Sequence, residues 1–311
     1  MTQYAFFNGK IVPIESAKVS VMTHALNYGT GVFGGIRAYW NTDEEQLFIF
    51  RPLDHFERLI QCANMMRINI PYSPEELTEI LTELLRAEGF QQNCYIRPLA
   101  YKATEGIGVR LHGLEDELTI FAIPFDKYIE KEEGAHVCFS SWNRVDDNTI
   151  PARGKVSGAY ANSALIKSDA VLSGYDEALV LNQDGHVSEA SAANLFIMRK
   201  GVAITPPVNA NILEGITRRT LIQLLQDEMG IEVVERDVDR TEIYMADEIF
   251  LCGTGVQLAA VTQVEHRPIG NGEMGDITRM VRDLQNDVLY GRRLKYRDWV
   301  TPVYVKEKMV G

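Results

Sequence analysis

Two hydrophobic periods run along the chain. Apolar residues in unbroken runs or at every second position predict strands, and apolar residues three or four apart predict helices. Tyr4-Ala5-Phe6-Phe7 and Lys10-Ile11-Val12-Pro13 flank Asn8-Gly9, two residues that tolerate positive φ, which predicts a hairpin. Leu47-Phe48-Ile49-Phe50-Arg51 predicts a buried strand. After it, Asp54 can cap a helix whose Phe56, Leu59, Ile60 and Ala63 share one face. The next helix carries stronger signs: Ser73 as cap, Pro74 in the first turn, Glu76 completing a capping box, and Gly89 as the stop. Leu77, Ile80, Leu81, Leu84 and Leu85 form its stripe.

Strands are predicted from Cys94 to Lys102 and from Glu117 to Phe125. The stretch 126–134 is charged and lacks an apolar period, as expected of a linker. Beyond it come a strand from Ala135 to Trp142, a helix after Gly158, a strand from Glu177 to Leu181 and further strands as far as Pro206. A helix near Gly215 aligns Leu221, Leu224, Leu225 and Met229, and a last helix runs from Gly275 to Tyr290. Strands cluster as hairpins and do not alternate strictly with helices, which argues for an α+β fold over a doubly wound parallel sheet. The expected organisation is a small N-terminal α+β domain over 1–125, a linker over 126–134 and a larger α+β domain over 135–311.

Composition narrows the function classes. The 311 residues are 46% hydrophobic and 24% charged, average for a globular chain, and the formal net charge is −12. A nucleic-acid surface would need a local basic patch against that field, and none is visible. No apolar run approaches the roughly 18 residues of a membrane span, and the N-terminus does not read as an export signal. Cys62, Cys94, Cys138 and Cys252 lie far apart with no CxxC pair, so no metal site is expected. A cytoplasmic protein with unpaired thiols is the expectation.

Several segments carry candidate chemistry. Gly29-Thr30-Gly31-Val32-Phe33-Gly34 spells the dinucleotide fingerprint GxGxxG, but Ile36-Arg37-Ala38-Tyr39-Trp40 favours a strand where that motif needs a helix. These glycines therefore read as tight packing or turns. Gly215-Ile216-Thr217 opens a helix after Leu213 and offers free amides to an anion; Gly253-Thr254-Gly255 follows a strand and could offer another nest. A plain helix start and an ordinary turn are the alternative readings. Lys155, among Gly154 and Ser157-Gly158, is a surface charge or a reactive amine. Glu189, among small and apolar neighbours, needs a cationic partner or a raised pKa. Arg97, on a strand, poses the same question in reverse.

The order of these segments is more specific than any one of them. Thr23-His24-Ala25-Leu26-Asn27-Tyr28-Gly29, Gly31-Val32-Phe33-Gly34-Gly35-Ile36-Arg37, Tyr95-Ile96-Arg97-Pro98-Leu99, Ser141-Trp142-Asn143-Arg144, Lys155-Val156-Ser157-Gly158-Ala159-Tyr160, Ser188-Glu189-Ala190-Ser191-Ala192-Ala193-Asn194-Leu195-Phe196, Gly215-Ile216-Thr217-Arg218 and Gly253-Thr254 occur in that succession. In it the chain resembles the fold-type IV, pyridoxal-phosphate-dependent aminotransferases over essentially its whole length, and most closely the branched-chain amino acid aminotransferases. The resemblance implies two α+β domains with pyridoxal 5'-phosphate between them. It implies transamination between leucine, isoleucine or valine and 2-oxoglutarate, and a homodimer or higher homo-oligomer.

Residue by residue, the resemblance makes Lys155 the Schiff-base lysine, Tyr160 the partner of the cofactor's phenolic oxygen and Glu189 the carboxylate facing the pyridine nitrogen. Arg51, Thr217 and Thr254, with Leu213, Gly215 and the Ile216 and Thr217 amides, match the cofactor-binding loop and phosphate cup. Phe33, Tyr95, Arg97, Phe125, Tyr128 and Val256 fall where the family lines its substrate pocket. Tyr28, Ile107 and Val109 fall where a dimer partner contributes, and Gly255 and Val256 where amides hold the α-carboxylate. One departure stands out: the family usually has glutamate where this chain has Gly34. Two rivals remain. D-Amino acid and (R)-amine transaminases share the lysine, glutamate and phosphate cup, but Tyr95-Ile96-Arg97-Pro98 is the branched-chain form. A non-catalytic pyridoxal-phosphate carrier or amino acid-binding protein would not need an electron sink.

Overall fold

The computed structural model describes residues 3–125 and 134–305. Its elements begin with β1 (Tyr4–Phe7), β2 (Lys10–Pro13), α1 (His24–Tyr28), β3 (Gly31–Phe33), β4 (Ile36–Asn41), β5 (Gln46–Phe50), α2 (Pro52–Met65), α3 (Pro74–Glu88), β6 (Cys94–Lys102) and β7 (Asp116–Pro124). There follow β8 (Ala135–Phe139), α4 (Tyr160–Leu172), β9 (Glu177–Leu181), β10 (Val187–Ala190), β11 (Asn194–Arg199), β12 (Val202–Thr205), α5 (Ile216–Asp227), β13 (Val233–Glu235) and α6 (Arg240–Ile243). The last are β14 (Glu248–Gly253), β15 (Gln257–Val264), β16 (Arg267–Pro268), α7 (Asp276–Leu289) and β17 (Val300–Pro302).

The chain divides into two compact units. Described residues 3–125, 156–158 and 286–305 make the first; 134–155 and 159–285 make the second. In the first, a sheet of order β17-β5-β4-β6-β7-β1-β2, with β3 beside β6, is antiparallel throughout. The β1–β2 hairpin closes on Asn8 and Gly9 with φ of 50° and 71°, the left-handed pair such a two-residue turn requires. Helix α3 has the expected reciprocal cap: the Glu76 amide donates to the Ser73 hydroxyl, and the Ser73 amide donates to the Glu76 carboxylate. Its Leu77, Leu81, Leu84 and Leu85 are buried.

The second unit holds a mixed sheet of order β10-β9-β8-β15-β14-β11-β12-β13, with β16 beside β15. Strand β8 runs parallel to both neighbours and β12 parallel to β13; the other pairs are antiparallel. Its core includes Val137, Leu179, Val187, Leu195, Ile197, Leu251 and Val261. Each such side chain, fully buried, contributes roughly 1.5–3 kcal/mol. Antiparallel hairpins dominate both sheets and helices do not alternate regularly with strands, which makes the fold α+β.

Four sequence expectations need correction. Helix α2 is not capped by Asp54: Arg51, at φ 46°, is the N-cap, and Asp54 pairs with it from the first turn (Nε–Oδ2 2.7 Å). Strand β8 stops at Phe139, where Ser140 turns out and its hydroxyl accepts from the Trp142 amide. Met229 lies beyond the end of α5 and does not continue its stripe. Residues 286–305 fall in the first unit, because β17 pairs with β5 and the Gln46 side chain binds backbone groups of Val303 and Tyr304. The expected linker lies, but for Gly134, outside the described residues. No helix among the described residues is long and apolar enough to cross a membrane.

Candidate active site

The second unit gathers most of the residues with candidate cofactor chemistry. A single 3-10 turn, Ser157–Ala159, separates Lys155 from the start of α4, and it folds the amine back so that Lys155 Nζ donates to the Tyr160 hydroxyl at 2.5 Å. Both side chains are half-buried. Glu189 sits on β10 and Asn194 opens β11; the tight reversal between these neighbouring strands, where the Ala190 amide donates to the Ala193 carbonyl, brings the two side chains together. Glu189 is 3% exposed.

One ion pair and two hydrogen bonds hold that carboxylate. Arg144 lies 2.6 Å from Oε1. Asn194 Nδ2 donates to Oε2 at 2.9 Å, and the Leu213 amide donates to the same oxygen at 3.3 Å. Burial pushes the Glu189 carboxyl above the ordinary carboxylate range; Arg144 is the strongest influence pulling it back, followed by the Leu213 amide, Lys155 and Arg218. Asn194 Nδ2 also donates to the Leu213 carbonyl, so one side chain ties the acid to the segment leading into α5.

That segment ends at Gly215, the N-cap of α5. A Cβ there would overlap the Asn194 amide oxygen, so only glycine lets Asn194 and the helix start lie together. Helix α5 begins with no side-chain cap and no acidic residue in its first turn. The amides of Ile216 and Thr217 and the positive end of the helix are thus available to an anion. Thr217 is buried, and Arg218 beside it is anchored to Glu235 (2.6 Å), Thr205 and the Pro206 carbonyl. Thr254, Gly255 and Val256 form the turn between β14 and β15, with Gln257 at φ 59° and Val256 buried.

In the first unit, Tyr95 and Arg97 project from the same face of β6. The Arg97 guanidinium lies over the rings of Phe33 (4.4 Å) and Tyr95 (5.3 Å) and donates from Nη2 to the Tyr95 hydroxyl at 3.0 Å. Its Nε is buried without a partner, and no acidic residue among the described residues pairs with it. The Phe125 ring stands 5.5 Å from Tyr95. Gly34 and Gly35 press against this group: a Cβ on Gly34 would lie 2.7 Å from Pro98 Cγ, and one on Gly35 would strike the Tyr95 hydroxyl. Any side chain at position 34 would therefore require this segment or Pro98 to shift.

The other expected residues are distributed as follows. Arg51 holds Asp54 and lies over the Trp299 ring at 4.7 Å, in the first unit. Tyr28 and His24, both on α1, clamp Gly108: its amide donates to the Tyr28 hydroxyl at 3.1 Å and its carbonyl accepts from His24 Nε2 at 2.6 Å. Ile107 and Val109, either side of the clamped glycine, are 88% and 78% exposed. Tyr128 lies outside the described residues. The GxGxxG segment opens no helix; Gly29 ends α1 at φ 66° and packs on Gly158, whose amide donates to the Gly29 carbonyl.

Sequence reasoning assigned no role to Arg144 or Asn194. The buried Glu189 called for a cationic partner, but spacing along the chain could not say which arginine supplies it. Position 144 is 45 residues away, on the segment between β8 and α4.

Comparison with known proteins gives the family and the fold. Residues 31–264 match the family model for class IV amino-transferases. A probable branched-chain-amino-acid aminotransferase of Aquifex aeolicus is 47% identical over 97% of each chain. Two crystal structures superpose closely. The branched-chain aminotransferase of Thermoproteus uzoniensis with norvaline gives a TM-score of 0.94 at 41% identity, over 98% of this chain and 100% of that one. The branched-chain amino acid aminotransferase of Thermobaculum terrenum in its PLP-form, the holo-form, gives 0.93 at 38% identity, over 98% and 99%.

Proposed function

The chain belongs to the class IV aminotransferase family, and from that premise we propose how its residues divide the work. Its reaction is the pyridoxal-phosphate-dependent transamination of branched-chain amino acids, with 2-oxo acids as amino acceptors. The observation that carries the assignment of roles is the occurrence in one unit of an amine held on a phenolic hydroxyl, Lys155 on Tyr160, and an enclosed carboxylate, Glu189. The donor set suits the cofactor. A lysine amine condenses with an aldehyde, a buried carboxylate pairs with a pyridinium, and an uncapped helix start with buried Thr217 receives a phosphate.

When bound, pyridoxal phosphate supplies a protonated ring that accepts the electron pair left as the amino acid's α-C–H bond breaks. Lys155 Nζ, released when the substrate's amine takes its place, would take the α-proton and return one to the carbon on the other side of the substrate nitrogen; its position on the Tyr160 hydroxyl keeps it at hand. Glu189 holds the proton of the ring nitrogen, and Tyr160 binds the phenolic oxygen. The α5 amides, Thr217 and Thr254 bind the phosphate, and Gly255 and Val256 the α-carboxylate; for Arg51 the support is the family resemblance alone.

One pocket must accept leucine's apolar side chain and glutamate's charged one in alternate half-reactions. An apolar wall alone would exclude glutamate, because an unpaired buried carboxylate costs several kcal/mol. Arg97, with no acidic partner of its own among the described residues, is the cation for the distal carboxylate, while Phe33, Tyr95, Phe125, Tyr128 and Val256 receive leucine. We further infer a cytoplasmic homodimer in which Tyr28, Ile107 and Val109 serve the partner's pocket; the exposure of Ile107 and Val109 on a clamped loop supports it.

Steady-state transamination of leucine with 2-oxoglutarate tests the reading. It is expected to proceed with at least tenfold preference over D-amino acids and (R)-phenylethylamine. Preference for either of those would move the chain to another branch of the family. Sedimentation at micromolar concentration is expected to give at least twice the 35.0 kDa chain mass.

A further inference from the structure

We propose that Arg144 is a positioning residue of this chemistry: its ion pair with Glu189 Oε1 keeps the buried carboxylate ionised, so that Glu189 can hold a proton on the cofactor's ring nitrogen instead of taking it. The proposal rests on the reading that Glu189 faces that nitrogen.

The geometry carries the argument. A carboxylate offers about four acceptor positions. In Glu189 three are occupied, by Arg144, Asn194 Nδ2 and the Leu213 amide, which leaves one for a further donor. Two of the three present donors are neutral and bring no charge. Among the charged groups near the acid, Arg218 on α5 is committed to Glu235, and Lys155 holds the Tyr160 hydroxyl. Cys252 on β14 stays a neutral thiol, burial pushing it up to about 12. Arg144 has no carboxylate partner other than Glu189 among the described residues, and its Nε is directed to the Asn211 carbonyl at 3.2 Å. The pair is nearly sealed from water, with the two side chains 14% and 4% exposed. Removing one member of such a pair leaves the other charge uncompensated, and a carboxylate left so takes up a proton.

The consequence is a chain of charge. Without Arg144, Glu189 becomes a neutral acid, the ring nitrogen loses its counter-charge, and its proton affinity falls. The same pairing also fixes where the remaining acceptor position lies: the two neutral donors converge on Oε2, so it is on Oε1, beside Arg144.

The test uses holoenzyme carrying pyridoxal phosphate labelled with 15N in the ring, whose chemical shift reports protonation of that nitrogen directly. Arg144→Gln is expected to lower the pH at which the nitrogen titrates by at least one unit, a tenfold loss of proton affinity. Arg144→Lys, which keeps the charge but loses the bond to Asn211, is expected to restore most of it. In a Glu189→Gln background, Arg144→Gln should add no further shift. Where Arg144→Gln does not load cofactor, the infrared spectrum of its apoprotein at neutral pH is expected to show a protonated carboxyl band that Glu189→Gln removes. An unchanged titration in Arg144→Gln, an equal shift in the Glu189→Gln background, or absence of that band would overturn the proposal. If Glu189→Gln itself leaves the nitrogen titration unchanged, the reading of Glu189 fails, and this proposal with it. If Glu189→Gln shifts the titration and Arg144→Gln does not, only the proposal for Arg144 fails.

Discussion

Two arginines in this molecule are held in opposite ways. Arg144, in the second unit, is committed to a buried carboxylate at 2.6 Å. Arg97, in the first, rests on the faces of Phe33 and Tyr95 and has no acid beside it among the described residues. On the roles proposed for them, a cation that serves a resident cofactor can be neutralised inside the protein, because its task never changes. One that must receive a carboxylate in one half-reaction and none in the next is better left on aromatic faces. These stabilise it by about 0.5–2 kcal/mol and are given up easily. An internal carboxylate would compete with the substrate and would have to be displaced each turnover.

This contrast makes changes in the second unit indifferent to substrate and changes around Arg97 selective. The largest effect is expected from Lys155→Ala, which removes the proposed proton carrier. Turnover should fall at least about a hundredfold with every substrate, and the borohydride-reducible linkage to the cofactor should vanish. Near-native activity in that variant would break the assignment. Glu189→Gln keeps the shape and withdraws the charge; a lost charged hydrogen bond of ~1.5–3 kcal/mol predicts at least a tenfold fall in the single-turnover rate of α-proton removal, alike for leucine and glutamate.

Arg97→Ala should divide the two substrates. The value of kcat/KM for 2-oxoglutarate is expected to drop by about tenfold or more, while the leucine half-reaction, measured without an acceptor, changes much less. Equal losses, accompanied by a lower melting temperature, would make Arg97 a support of β6 and dissolve the contrast.

A fourth prediction sharpens the comparison with a pair remote from any candidate chemistry. Glu242 accepts from Arg236 at 2.6 and 2.8 Å and also from Arg199, and the Arg236 bond first, with Arg199 behind it, holds its carboxyl down from 4.5 to about 2. A depressed carboxyl contributes stability that is complete above the unfolded value and is lost as pH falls through the folded one. Glu242→Gln should therefore lower the melting temperature at pH 7, and the difference from the parent should shrink as pH drops from about 4.5 to about 2. Transamination should be unaffected. A difference independent of pH would show that the pair's charge contributes nothing.

Local signals in the sequence were reliable where the physics is local. The Ser73 and Glu76 box, the Asn8-Gly9 turn and the long strand from Cys94 to Lys102 each depend on neighbours within a few residues, and each formed as expected. Asp54 misled as a cap because a left-handed N-cap on Arg51 leaves no trace in residue type. The strand β17 was not legible because its pairing is with β5, some 250 residues earlier. Within the candidate site, Lys155, Tyr160 and Glu189 could be named from motif order. Arg144 and Asn194 could not be given roles, since what they do follows from a strand reversal and a long-range ion pair.

The contact between Gly34 and Pro98 gives mutation at this place a direction. Glutamate, usual at this position in a family that also carries the Tyr-Ile-Arg-Pro segment, would bring its Cβ to 2.7 Å from the proline ring on this backbone, so the segment has to shift to receive it. The backbone around Gly34, and not the side-chain chemistry alone, therefore limits which residues position 34 accepts. Any side chain added at position 34 is expected to move the backbone beside Phe33 and Pro98 as well as to fill space, so its effect is one of repositioning the neighbouring aromatic residues.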